Sequence, residues 1–386
     1  MSSFKENVLR RIASVGVITG LLVPTSVTGQ VCPATWTLTA PLTYDDSDAP
    51  LVRPRDVVIT SNGTAVVSES DEPVLKVFSR DGRSVRTWGR RGDGPGEFRE
   101  VTGLLSSGDS VWAYDGSHRR GTFYRNNGAL GKEVTFAQRS APEIGPTFPL
   151  GDRYLGLATL YSAALAAPGG SQRRVLLVRT SGTIERDLVQ PLLIRGYNTQ
   201  LRLPGEGSMF LPLPVPLMDR VVVAEGGASA VVARGAFDNR SGSRRLRVTK
   251  LDADGDTIFS KTILIGPAPV TTTYLDDHQH NLVKAIVQRF PSELAAKRAV
   301  QEAMKTNASQ FYPVNGLIAD NDGRIWIRTT LARNDWLVLG SSGAVLACAQ
   351  APVDLRLVAA AGRSVWAIKT DSDDVRFPQR FEIRKH

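Results

Sequence analysis

Three kinds of side chain in this sequence stand where chemistry could be done. The first is a set of arginine pairs, Arg90-Arg91, Arg119-Arg120, Arg173-Arg174 and Arg244-Arg245. A guanidinium is planar, forked and permanently charged, so such pairs suit carboxylates and phosphates. The second is a set of oxygen donors, Asp56, Glu100, Asn315 and Asp354, with Arg55 beside the first. Carboxylates and an amide that converge would resemble the hard oxygen environment calcium prefers. The third is the run Asp276-Asp277-His278-Gln279-His280, which carries zinc-type donors. A zinc site there needs a third ligand, and the only other histidines are His118 and His386. A polar loop entering a helix is the simpler reading.

Other patterns dissolve on inspection. Asp252-Ala-Asp-Gly-Asp256 opens like a calcium loop, but Thr257 stands where that loop needs glycine, and the segment aligns with hairpin turns elsewhere in the chain. The glycines from Gly89 to Gly96 are not a phosphate loop: no Gly-Lys-Ser/Thr follows, and Pro95 interrupts the amides that would cradle phosphate. No nucleophile elbow is present, and two cysteines with four histidines leave little material for a Cys/His dyad.

The elements that must position these groups come from a repeat. A turn followed by a β run occurs as Gly63-Thr-Ala-Val-Val, Gly108-Asp-Ser-Val-Trp, Gly151-Asp-Arg-Tyr-Leu, Asp219-Arg-Val-Val-Val, Gly323-Arg-Ile-Trp-Ile and Gly362-Arg-Ser-Val-Trp. A second turn follows each of the first five, at Gly82, Gly128, Gly182, Gly255 and Gly343. Glycine there accepts the positive φ of a tight hairpin. Two hairpins per repeat make four strands, A to D from the inside out. The sequence therefore predicts an all-β, six-bladed propeller of four-stranded antiparallel blades. The sixth blade has no second hairpin before the chain stops. Thr35 to Tyr44 alternates apolar and polar and is free to supply its outer strand, which closes the ring and removes an edge.

Trp88-Gly-Arg-Arg-Gly-Asp-Gly-Pro-Gly-Glu-Phe98 resembles an inter-blade linker of bacterial six-bladed propellers related to NHL repeats and to the TolB-like superfamily. Phe311 to His386, with Asp322-Gly-Arg-Ile-Trp-Ile327, is similar to their last two blades. The likeness is loose between about Gln190 and Asn307. It implies a fold and no single function, because such propellers include binding platforms, lactone hydrolases and lyases. The lactonase type holds its metal among carboxylates at the channel, which is what gives Asp56, Glu100, Asn315 and Asp354 their interest.

The first 29 residues read as a secretory signal peptide: Lys5, Arg10 and Arg11 precede the apolar run Ile12 to Val23, and Val27 and Gly29 fit the positions before a cut. The run is too short to span a bilayer. Residues 30–386 then form one propeller domain, secreted or periplasmic. Removing Lys5, Glu6, Arg10 and Arg11 lowers the formal net charge from +9 to +7, a surplus that favours anionic partners. Cys32 and Cys348 fall toward opposite faces in this topology, so the expectation is that they do not pair.

Alternating strands put the A–B and C–D turns on one face and the B–C loops and D-to-A linkers on the other. The second set is elaborated: a B–C loop from about Gly226 to Ser243, a linker from Pro191 to Leu211, and a helical insertion over 276–305 expected as a lid on the channel mouth. The arginine pairs sit on that face over three blades. Glu69, Asp71 and Glu72, then Asp371, Asp373 and Asp374, sit over two others. The leading expectation is a non-catalytic recognition module for an anionic ligand or protein partner, needing no cofactor, with no specific nucleic-acid partner. A metal-dependent, lactonase-like hydrolase or lyase holding Ca2+ in the channel, and a cell-envelope scaffold, are the alternatives.

Overall fold

The computed structural model describes residues 32–44, 47, 50–137, 144–160, 170–195, 198–205, 207–212, 214–215, 217–237, 243–305, 310–331, 333–371 and 375–386. The expected leader and the acids Asp373 and Asp374 lie outside them.

Alternating runs and glycine turns fold into antiparallel sheets arranged in the manner of a β-propeller. Four separate sheets begin at the strands Pro54–Ile59, Val101–Ser107, Ile144–Leu150 and Arg220–Ala224, and each continues through three successive antiparallel strands. Two small sheets have two strands each, and the largest sheet has eight. Its two outer members, Gly316–Ala319 and Leu355–Ala361, each start an antiparallel series, and the two series meet at its centre. There the N-terminal strand Thr35–Thr43 pairs antiparallel with Arg376–Lys385 and parallel with Val345–Gln350.

The core lies between sheets. The Val-Trp or Ile-Trp of the repeat places Trp112, Trp326 and Trp366 on the second strand of their series, all buried. Burial obliges each indole N–H to find an acceptor. Trp112 donates to the Thr147 carbonyl at 2.9 Å, Trp326 to Asp320 at 3.0 Å and Trp366 to the Tyr44 hydroxyl at 2.5 Å. Gly121 lies flat against Trp112, where a Cβ would stand 1.7 Å from the ring.

Three sequence expectations are corrected. Cys32 and Cys348 are disulfide-bonded, with Cα atoms 5.7 Å apart. The parallel pairing is offset so that Thr35 lies opposite Cys348, which brings the start of one strand beside the end of the other. Second, Arg220–Ala224 is the first strand of its sheet rather than the second. Its turn is Glu225–Gly227, with φ of +67° and +103° at Gly226 and Gly227. A run of valines fits either strand, and only the glycine pair marks the turn. The segment after Gly226 is thus mostly the strand Ser229–Phe237, not a long loop. Third, the linker after Pro191 is largely β structure: an extended strand Ile184–Arg195, then a hairpin of Asn198–Leu203 with Gly207–Pro212.

The helical insertion forms two helices, α1 (Thr272–Ile286) and α2 (Glu293–Ala303), capped by the hydroxyls of Thr271 and Ser292. Pro291 lies between them, where it costs no helical hydrogen bond. Their apolar faces pack on that hairpin: Leu282, Ile286, Val300 and Met304 bury against Leu201 and Leu211. This small body has a core of its own.

Candidate functional site

On the loop side, most of the arginines singled out in the sequence are committed to structure. Arg90 grips Glu97 at 2.6 Å, and Arg91 donates to the Asp71 carbonyl at 3.2 Å. Arg120 donates to the carbonyls of Asp93, Gly94 and Glu97, pinning the glycine-rich linker. Arg119 turns the chain at φ +49°. Arg174 forms a fork on Asp187 at 2.8 and 2.6 Å, while Arg173 has one buried guanidinium nitrogen without an acceptor. Arg244 is only 2% exposed and donates to the carbonyls of Gly266, Phe311 and Thr329. Burial lowers its pKa to about 10. Arg245 beside it is exposed. The acids opposite are engaged too: Glu69 is buried against the Arg53 amide, Asp71 pairs with Arg53, and Glu72 with Lys76.

The channel-mouth residues are brought together in part. Arg55 lies between Glu100 (3.3 Å) and Asp56 (3.9 Å), and its carbonyl accepts from Arg356. Asp354 pairs with Lys369 at 3.6 Å. Asn315 donates to the Tyr312 carbonyl and keeps its own carbonyl oxygen buried without a partner. Asp56 is open to the lumen by area, 42% exposed, yet enclosed by protein on its other sides. That enclosure raises its pKa against the opposing pull of Arg356 and Arg55. Asp56, Glu100 and Asp354 thus each lie beside an arginine or a lysine. Among the described residues no three His, Cys, Asp or Glu side chains gather at metal-binding reach. His278 places Nε2 3.1 Å from the Pro212 carbonyl, so that nitrogen carries the proton; His280 is exposed.

Beyond Asp56 the channel is walled by strand backbone and polar groups, Ser106 and Asn321 among them, mixed with aliphatic side chains. Val58, Leu104, Val222, Leu317 and Val358 all line it. Each is partly buried, and each comes from the first strand of a different series. Period-two alternation aims them at the axis. The channel holds about 230 Å³. None of its lining comes from α1 or α2.

At the turn side the channel adjoins a larger cavity of about 840 Å³, and Ile59, Ser106, Gly226 and Asn321 line both spaces. The Glu225–Gly227 turn crosses beneath the channel, where Gly226 accepts from the Ser107 hydroxyl at 2.6 Å. Asn321 reaches over to donate to the Ile59 carbonyl at 3.1 Å. Arg80, Arg363 and Arg380 line this cavity. Arg380 donates to the Arg80 carbonyl at 2.6 Å. No carboxylate among the described residues pairs with any of the three guanidiniums. Two acids share the lining, Asp322 and Glu382. Asp322 is already satisfied by Arg324 and the Gly362 amide, both at 2.7 Å. Three cations therefore face Glu382 alone. The sequence carried little signal for this site, because Arg80 and Arg363 sit singly in turns and Arg380 lies within the strand Arg376–Lys385.

No protein-family model matches this sequence, and neither does any curated protein. Solved structures of similar arrangement include a Bacteroides fragilis protein described as exported, at 10% identity and TM-score 0.46, over 91% of this chain and 95% of that one. A DUF4221-family member from Bacteroides vulgatus follows at 9% and 0.44, over 91% and 99%. Regucalcin from Agrobacterium tumefaciens, described as calcium-binding, stands at 11% and 0.40, over 90% and 96%. At such distances these likenesses carry no argument about the site.

Proposed function

We propose that the protein is an exported six-bladed propeller, secreted or periplasmic, that recognises an anionic ligand without transforming it. The ring order of the first strands supports six blades: Pro54–Ile59, Val101–Ser107, Ile144–Leu150, Arg220–Ala224, Gly316–Ala319 and Leu355–Ala361 each touch the next, and the last touches the first. In this reading the eight-stranded sheet is two blades joined through the parallel pair. The disulfide supports export, since such bonds persist in oxidising compartments.

The observation that carries recognition is the cavity with three arginines and one opposing acid. Its volume is within the range of small-ligand sites, and guanidiniums without a paired carboxylate suit a carboxylate or phosphate ligand. The arginines of the loop side are mostly committed to carbonyls and carboxylates, so the proposed site moves to the turn side.

Titration calorimetry with acetate and with inorganic phosphate tests this. Both should bind, more weakly as salt rises, and Arg80→Gln with Arg363→Gln should abolish the signal. If charge reversal at Arg119, Arg173 and Arg245 abolished it instead, recognition would belong to the loop side. No binding by the native protein would end the reading.

A further inference from the structure

The cavity and the channel adjoin, sharing Ile59, Ser106, Gly226 and Asn321 in their walls, and their chemistries differ. The cavity presents Arg80, Arg363 and Arg380. The channel behind it presents the aliphatic belt of Val58, Leu104, Val222, Leu317 and Val358. The aliphatic part of that wall is apolar surface held against water, which is an unsatisfied binding surface. Two polar side chains near the junction are already engaged, the Ser107 hydroxyl on Gly226 and the Asn321 amide on the Ile59 carbonyl, while Ser106 lines both spaces. A ligand passing the junction therefore finds no uncommitted donor in those two groups and meets aliphatic carbon next. At the far end the charged group of Asp56, Arg55 and Arg356 closes the apolar stretch.

Resting on the anion-recognition reading, we propose that the ligand is a linear amphiphile: a carboxylate or phosphate head held by the three arginines, and an unbranched alkyl or acyl tail threaded into the aliphatic belt. The head must enter last, because the belt is the inner compartment and the arginines stand at the opening. A free acid and an acylated phosphate share this chemistry, and paired homologous series distinguish them.

The test is a chain-length series of linear carboxylates, with alkyl phosphates in parallel, titrated against the full mature protein by calorimetry. Each methylene that enters the belt should tighten binding about fourfold, and the gain should stop once the channel is filled. Whichever series binds tighter at equal length identifies the head. Val222→Thr and Val358→Thr, close in shape to the native residues, should flatten the slope and leave acetate binding unchanged. Arg363→Gln should weaken every member equally and keep the slope. Thermal melts of each variant check that it is folded, and the native series stands without them. An affinity independent of chain length, with acetate still bound, overturns the amphiphile and leaves anion recognition standing. Failure of every anion, short or long, overturns both.

Discussion

Arg244 shows how a residue chosen for its charge can be spent on architecture. Its guanidinium satisfies three backbone carbonyls from three separate segments, so removing it strands acceptors in the core. Arg244→Met is expected to destabilise the protein by about 3 kcal/mol, read as a lower urea midpoint at unchanged slope. The tyrosines give a pH prediction. Burial raises Tyr44 and Tyr124 to about 12, and raises Tyr312 as well, helped by Asp219 beside it. A group whose folded pKa lies above its unfolded value of about 10 adds stability that is complete below pH 10. That stability is lost as pH climbs from 10 through 12. Tyrosinate absorbance should therefore rise in two stages, the later one coinciding with unfolding. A single step near pH 10 in a still-folded protein would contradict this.

At the scale of elements, the Glu225–Gly227 turn lies where cavity and channel adjoin, with Gly226 in the wall of both. Gly226 holds a left-handed φ, and a Cβ there would stand 3.2 Å from the Gly108 amide nitrogen. Gly226→Ala should cost about 1–2 kcal/mol from the left-handed conformation alone. It should also weaken long-chain ligands more than acetate, since the turn lies at the junction. The disulfide is the second device at this scale. It joins residues 316 apart in sequence and fastens the N-terminal strand to its parallel neighbour. Closing so long a loop restricts the unfolded chain strongly, and Cys32→Ser with Cys348→Ser should lower stability by about 3–5 kcal/mol, measured by urea unfolding.

For the whole molecule, ring closure is the property most exposed to test. The strand Thr35–Thr43 covers one edge of Arg376–Lys385, and both Trp36 and Ile383 are buried there. Deleting residues 32–43 leaves a paired strand with an open edge, which invites pairing with another chain. The expected result is concentration-dependent self-association by sedimentation, absent in the native protein. No helix among the described residues is long and apolar enough to cross a membrane. The α1–α2 body stands apart from the channel lining, so its removal with the matching hairpin should spare anion binding if the turn-side cavity is the site.

What the sequence determined by itself was local and periodic. Glycine turns, alternating runs and the recurring Val-Trp marked hairpins and core positions, because φ preference and period-two burial act between near neighbours. It also marked Thr35–Tyr44 as a strand without a sheet of its own. Tertiary structure decided everything that depends on the offset between distant strands. Register brought Cys32 beside Cys348, burial turned Arg244 from a ligand candidate into a strut, and the glycine pair at 226–227 reassigned a strand. Arg80, Arg363 and Arg380 line one cavity because two turns and the strand Arg376–Lys385 come together on one side of the propeller. Residue spacing cannot encode that meeting, since it is set by how the sheets pack around the axis.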